Sequence, residues 1–127
     1  MLNCLEENMH LNVKQAYRTM VDFLDGYYWN TKNDTLAGML GFMNTELCGD
    51  GMPADTAVWS TWNECVDAIT DDHALSSDNA FQAMVRFLEK YDLNFGFDLK
   101  WLLSELNVSP STMEKWGESV AKALKNR

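Results

Sequence analysis

Residues 11–27, LNVKQAYRTMVDFLDGY, decide the fold, because the chain repeats them at residues 75–91 as LSSDNAFQAMVRFLEKY. Seven of the seventeen positions are identical: Leu11/Leu75, Ala16/Ala80, Met20/Met84, Val21/Val85, Phe23/Phe87, Leu24/Leu88 and Tyr27/Tyr91. Tyr17/Phe81 and Asp25/Glu89 are conservative exchanges. The likeness runs on with a one-residue shift, placing Leu36, Met39, Leu40 and Met43 over Leu99, Leu102, Leu103 and Leu106. After a loop of different length, Trp62 and Val66 fall over Trp116 and Val120. Order and spacing agree across three segments, which points to a duplicated unit of roughly 55–60 residues, the kind of internal period that sets an architecture.

Each unit reads as three helices. Val13, Ala16, Tyr17, Met20, Phe23, Leu24 and Tyr27 recur at steps of three and four, the spacing of one helical face. Asn12 is the expected N-cap, with Gln15 in the capping-box position. In the second unit Ser76 or Ser77 caps a helix carrying Ala80, Phe81, Met84, Phe87, Leu88 and Tyr91. Second helices are expected to begin near Asn33/Asp34 and near Asp98, and third helices at Asp55 and at Ser109, where Pro110 suits a first helical position because its missing N–H has no partner to lose. No segment alternates with period two. The expected fold is therefore all-α: about six helices in one domain, as two duplicated three-helix units packed together. An N-terminal arm covers 1–10, the first helical repeat 11–70 and the second 71–127.

Residues 44–54, NTELCGDGMPA, form the clearest loop, with Gly49, Asp50, Gly51 and Pro53 as turn formers. The second unit passes from Leu106 to Pro110 almost directly. An insertion in one copy of a repeated scaffold is a candidate functional edge, and equally a tolerated surface loop.

Charge is distributed as unevenly as the loops. Between Lys32 and Arg86 there is no basic residue but nine acids: Asp34, Glu46, Asp50, Asp55, Glu64, Asp67, Asp71, Asp72 and Asp78. The flanks carry −1 and +1, so the formal charge of −9 resides in the middle. Such a block produces a directional field that attracts a basic partner and repels nucleic acid and anionic lipid. Basic clustering of the kind nucleic-acid binding needs is confined to a mild group in the tail, Lys115, Lys122, Lys125 and Arg127, and cations in a last helical turn complement the helix dipole.

At 127 residues and 46% hydrophobic, with aromatics at 12%, the chain has ample material for a core. The opening MLNCLEENMH carries two acids and no basic cluster, unlike a signal peptide. No apolar run approaches the ~18 residues of a membrane span. Cys4, Cys48 and Cys65 are odd in number and form no C-x-x-C pair, which suits reduced thiols in a cytoplasm.

Motifs for chemistry are missing. His10 and His73 stand six to eight residues from the nearest cysteine and belong to no metal-ligand spacing. The loop with Cys48, Asp50 and Asp55 lacks the alternating oxygen ligands and final Glu of a calcium loop. There is no G-x-S-x-G elbow and no phosphate cradle among Gly38, Gly41, Gly49 and Gly51. Cys65, in WNECVDAI, reads as a small buried thiol, and Asp71/Asp72 as a solvated connection between the units. The reading is a non-enzyme with no catalytic residue, metal or cofactor.

Trp62 and Trp116 occupy matching positions and read as core. Trp59 in DTAVWSTW is divided between core and an exposed anchor, since large rigid aromatics among acids make interface hot spots.

The pattern AYRTMVDFLDGYYWNTKNDTLAGMLG (16–41), followed by DGMPADTAVWSTW (50–62), resembles small bacterial immunity proteins that accompany polymorphic toxins, including those of contact-dependent growth inhibition. The resemblance is carried by Phe23-Leu24, Tyr27-Tyr28, Asp34, Leu40, Asp50-Gly51, Pro53, Asp55 and Trp62. The chain departs from that pattern at Thr35, where a second acid is expected, and in GMLGF (38–42). It covers residues 11–66 well and the second copy loosely. The resemblance implies a cytoplasmic, non-catalytic protein that binds one cognate protein toxin domain. A toxin that cuts nucleic acid needs a basic cleft, and an acidic face would find and occupy it. The expected partner-binding residues are Glu46, Asp50, Asp55, Trp59, Glu64, Asp67, Asp71 and Asp72, with no direct binding of nucleic acid or membrane. An acidic adaptor or secretion chaperone for a basic client is the alternative, and a small enzyme using Cys65 or His73 is the third.

Overall fold

The computed structural model describes residues 10–43, 56–71, 74–94, 96–108 and 111–125. Within these the chain is all-helical: α1 (Val13–Thr31), α2 (Asp34–Met43), α3 (Thr56–Ile69), α4 (Ser77–Asn94), α5 (Lys100–Val108) and α6 (Ser111–Lys125). Among the described residues no strand forms. A single antiparallel bridge pairs Leu11 with Leu75, the residues just ahead of α1 and α4.

Helix starts follow the local chemistry. Asn12 accepts from the Gln15 N–H at 2.8 Å and donates its own N–H to Gln15 Oε1 at 2.9 Å, a complete capping box. Ser76 accepts from the Asn79 N–H and Asn33 from the Leu36 N–H, at 3.1 Å each. Asp92 accepts from the Leu99 N–H at 3.0 Å, and α5 begins at Lys100, two residues later than the acid expected to start it. Ser109, Pro110 and Asp55 lie outside the described residues, as does the loop 44–54.

α1 ends at Lys32, whose φ of 53° is left-handed. That conformation disfavours a side chain with a Cβ. Its N–H nevertheless reaches the Tyr28 carbonyl at 2.6 Å, and its ammonium lies 3.7 Å from the Trp29 ring centroid and 5.4 Å from that of Tyr28. A cation over exposed rings contributes about 0.5–1 kcal/mol, enough to offset much of the backbone cost.

The core is aromatic at its centre. Trp62 and Trp116 are fully buried, and both indole N–H groups are satisfied at the start of a helix: Trp62 donates to the Val13 carbonyl at 3.1 Å and Trp116 to the Ser77 carbonyl at 3.0 Å. Trp62 meets Tyr17 and Phe87 edge-on, and Trp116 meets Phe81 and Phe23 edge-on. The four contacts join residues that the sequence alignment matches: Tyr17 with Phe81, Phe23 with Phe87, and Trp62 with Trp116. Burying an aromatic side chain of roughly 200 Å² contributes on the order of 5 kcal/mol as an upper figure. Tyr17, also fully buried, donates its hydroxyl to the Met43 carbonyl at 2.8 Å, which ties the C-terminal end of α2 to α1.

The longest packing seams run between the halves of the chain, not within them. α1 lies along α6 and α3 along α4. α1 touches α2 and α4 touches α5 as sequence neighbours do, whereas α1–α3 and α4–α6 meet only lightly. The reciprocal hydrogen bonds between Leu11 and Leu75, 2.8 Å each way, join the halves at two fully buried leucines. The core is thus continuous from Leu11 to Ala123. No described helix is long and apolar enough to cross a membrane.

Candidate partner-binding surfaces

α3 carries the described part of the acidic block. Its buried residues are Val58, Trp62, Cys65 and Val66, one stripe against the core. Glu64 and Asp67 point outward from the opposite side, and Asp71 follows in the bend after the helix; all three are exposed. A spacing of three places Glu64 and Asp67 on one side of α3, and Asp71 lies just past its C-terminal end. The structure records no ion pair for Asp67 or Asp71 among the described residues. Glu46, Asp50, Asp55 and Asp72 lie outside the described residues.

Folding partly undoes the charge separation read along the chain. The α3–α4 seam brings Lys90 to 3.9 Å from Glu64, and both groups are substantially exposed. Arg86 also lies near enough to act on the Cys65 thiol. The acidic surface therefore has a basic margin supplied by α4, and only its Asp67–Asp71 end lacks recorded pairing.

Trp59 is half-buried, its ring edge-on to Tyr17 at 5.7 Å, so it stands at the margin of the core. The most exposed tryptophan is Trp29, at 63%. Its alignment partner Leu93 is the most exposed large apolar residue of α4, at 79%. Each lies two residues past the last buried position of its helix, Tyr27 and Tyr91, where the amphipathic pattern offers no apolar face to fill.

Cys65 is fully buried. Burial pushes its thiol from 9.0 up to about 11, while Lys90 and Arg86 pull the other way and Glu64 adds to the rise. A thiol held protonated at neutral pH is a poor nucleophile. His10 is exposed; His73, Cys4 and Cys48 lie outside the described residues. Among the described residues no group of three or more His, Cys, Asp or Glu side chains could hold a metal ion.

A second surface lies along the α1–α6 seam, where a groove of about 390 Å³ opens between the helices. Asp22 anchors its floor: Ser119 donates to Oδ2 at 2.8 Å and Lys122 to Oδ1 at 3.2 Å. Lys115 lies over the Tyr27 ring, 5.3 Å from its centroid. Asp25, Gly26 and Glu118 complete the walls. Helix-dipole complementarity accounts for Lys122 in the last turn of α6, but nothing local in the sequence announces the groove, because it depends on which two helices lie side by side.

No family model, curated protein or solved structure matches this chain.

Proposed function

We propose that this protein is an immunity-type inhibitor, binding a basic protein toxin domain, foremost a nuclease, through its acidic surface. The observation that carries the reading is the exposure of Glu64, Asp67 and Asp71, carboxylates on and just beyond α3 from a chain segment that holds nine acids and no base. Enzymes that cut nucleic acid present cations to phosphates, so a set of exposed carboxylates competes for the same cleft. Opposite fields also speed encounter and disfavour wrong partners.

The scaffold of this proposal is a duplicated three-helix unit. What supports it is the reciprocal Leu11–Leu75 pairing and the matched anchoring of Trp62 and Trp116 at the starts of α1 and α4.

The test is co-purification with the product of the neighbouring reading frame, followed by titration of the toxin domain against wild type and a Glu64→Lys, Asp67→Lys, Asp71→Lys triple variant. The expected result is a stable complex that inhibits the toxin, weakened by about a hundredfold or more in the triple variant and by added salt. Unchanged affinity in the triple variant, or a partner that stays active when bound, refutes it.

A further inference from the structure

The ion pairs Asp22–Lys122 and Glu64–Lys90 both join the first half of the chain to the second, and both run in the same sense. Each time the acid comes from the first half and the base from the second. Composition follows the same division: residues 1–70 hold three bases against ten acids, and residues 71–127 hold seven against nine. Asp22 also accepts the Ser119 hydroxyl at 2.8 Å, so the α1–α6 seam adds a charge-assisted hydrogen bond. The fullest helix packing in the molecule lies along these same two seams. The link between the halves is short. The Thr70 N–H still bonds to the Val66 carbonyl at 3.0 Å, and Leu75 is held to Leu11 at 2.8 Å each way, which leaves 71–74 as the connection.

The alignment of the halves shows what the opposite choice of partner would do. α1 matches α4, so Asp22 stands where the second half has Arg86, and Gly26 where it has Lys90. α3 matches α6, so Cys65 and Ala68 stand where the second half has Ser119 and Lys122. Two first halves paired through the same seams would set Asp22 against Cys65 and Ala68, and Glu64 against Gly26. Both carboxylates would lose their donors. Two second halves would set Lys122 against Arg86, a like-charge contact, while Lys90 would meet Glu118. Unlike halves satisfy both seams, and like charges placed opposite one another are how a surface rejects a wrong partner.

We propose that the α1–α6 and α3–α4 seams form an exchange interface: the surface that the first half offers to its own second half fits the second half of another copy of this chain, and the two ion pairs select against like-with-like pairing. The occupant is already seated on that surface within one chain, and a second copy brings identical side chains to it. Exchanging halves preserves both seams, which is why repeated folds swap at low cost. With the link intact the closed monomer prevails, because tethering gives the halves an effective concentration of about millimolar. The inference rests on the duplicated scaffold and goes beyond toxin binding; Asp67 and Asp71 take no part in either ion pair.

The experiment shortens the link in the full chain. Deleting 71–73 removes roughly 10 Å of reach, so α3 and α4 of one chain can no longer lie side by side while Leu75 stays bonded to Leu11. The shortened chain should sediment as a dimer with wild-type helix content by circular dichroism. In that background, chains carrying Asp22→Lys and Glu64→Lys are mixed with chains carrying Lys90→Glu and Lys122→Glu, and the species are counted by native mass spectrometry. The heterodimer restores an acid–base match in every seam, so it should exceed its statistical share over the homodimers by about tenfold. A second variant keeps the full link and carries a protease site between Asp71 and Asp72, cut after folding. Its halves should stay together one to one, and Asp22→Lys with Glu64→Lys should make them separate about tenfold more readily, with rescue by Lys90→Glu and Lys122→Glu. The proposal is overturned if the shortened chain is a helical monomer, if the charge variants mix statistically, or if the cut halves part at micromolar concentration; should the deletion prevent folding, the cut chain decides alone. Any of these failures beside a toxin complex that Asp67→Lys and Asp71→Lys weaken would remove this inference and leave the inhibitor reading in place. An exchanged dimer without any toxin partner would do the reverse.

Discussion

The α1–α6 and α3–α4 seams, formed by helices that align with one another, pair their charges with opposite polarity and at different positions. Along α1–α6 the acid sits on the earlier helix, as Asp22, and the base on the later one, as Lys122. Along α3–α4 the order is reversed: Glu64 sits on the helix matched to α6, and Lys90 on the helix matched to α1. Ser119 and Cys65 hold corresponding places, three residues after Trp116 and Trp62. Ser119 donates a hydrogen bond to Asp22, whereas Cys65 is a buried thiol within electrostatic reach of Lys90 and Arg86. Gly26 leaves one seam open where Lys90, its alignment partner, occupies the other. The lesson is that the same tryptophan-centred packing is compatible with either charge polarity at the seam surface.

The largest effect tests whether the two frames are equal. Trp62→Ala and Trp116→Ala should each cost about 3–5 kcal/mol in urea unfolding, since each empties a fully buried site and removes a bond to a helix-start carbonyl. If one costs less than half as much as the other, the seams are not energetically equivalent and the comparison breaks.

The next effect separates the seams by pH. A thiol with a higher pKa in the folded state keeps its proton there while the unfolded chain loses it, so folding stability falls as pH rises. The contribution of Cys65 is fully present below pH 9 and is lost as pH climbs through about 11, on the order of 2–3 kcal/mol in all. Wild type should therefore lose that much more stability over the interval than Cys65→Ala, measured as urea midpoints at each pH. Ser119→Ala should leave the slope untouched, because a serine hydroxyl does not titrate in that range.

The smallest effect sharpens the contrast in polar pairing. Asp22→Ala leaves the buried Ser119 hydroxyl without its acceptor and should cost about 1–2 kcal/mol. Glu64→Ala should cost no more than about 0.5 kcal/mol, since its pair with Lys90 is long and solvated. Equal costs in thermal unfolding would mean that the α3–α4 ion pair matters more than its geometry allows.

Much of the fold was legible in the chain. The three-and-four spacing from Val13 to Tyr27 gave a helix whose buried face is the one expected, and Asn12 with Gln15 marked its start. Trp62, Trp116 and Cys65 are buried as read. Trp59 could not be assigned, because a residue three positions from a core tryptophan lies on its edge and the neighbouring helix decides how much is covered; here Tyr17 covers part of it. The acidic surface was only partly legible. Asp67 and Asp71 are exposed as read, but Glu64 meets Lys90, which lies twenty-six residues away in sequence.

The sequence alone determined the six helices, the caps at Asn12, Asn33 and Ser76, and the aromatic residues that fill the centre. Those are settled by periodicity and by hydrogen bonds spanning three or four residues. Tertiary structure alone decided that α1 lies against α6 and α3 against α4, which carboxylates gain a cation, and where a groove stays open. The reason is that helix formation is governed by near neighbours, whereas the pairing of faces depends on how two apolar stripes of similar character choose among several partners. Residues nearly a hundred positions apart, such as Asp22 and Ser119, meet only after that choice is made.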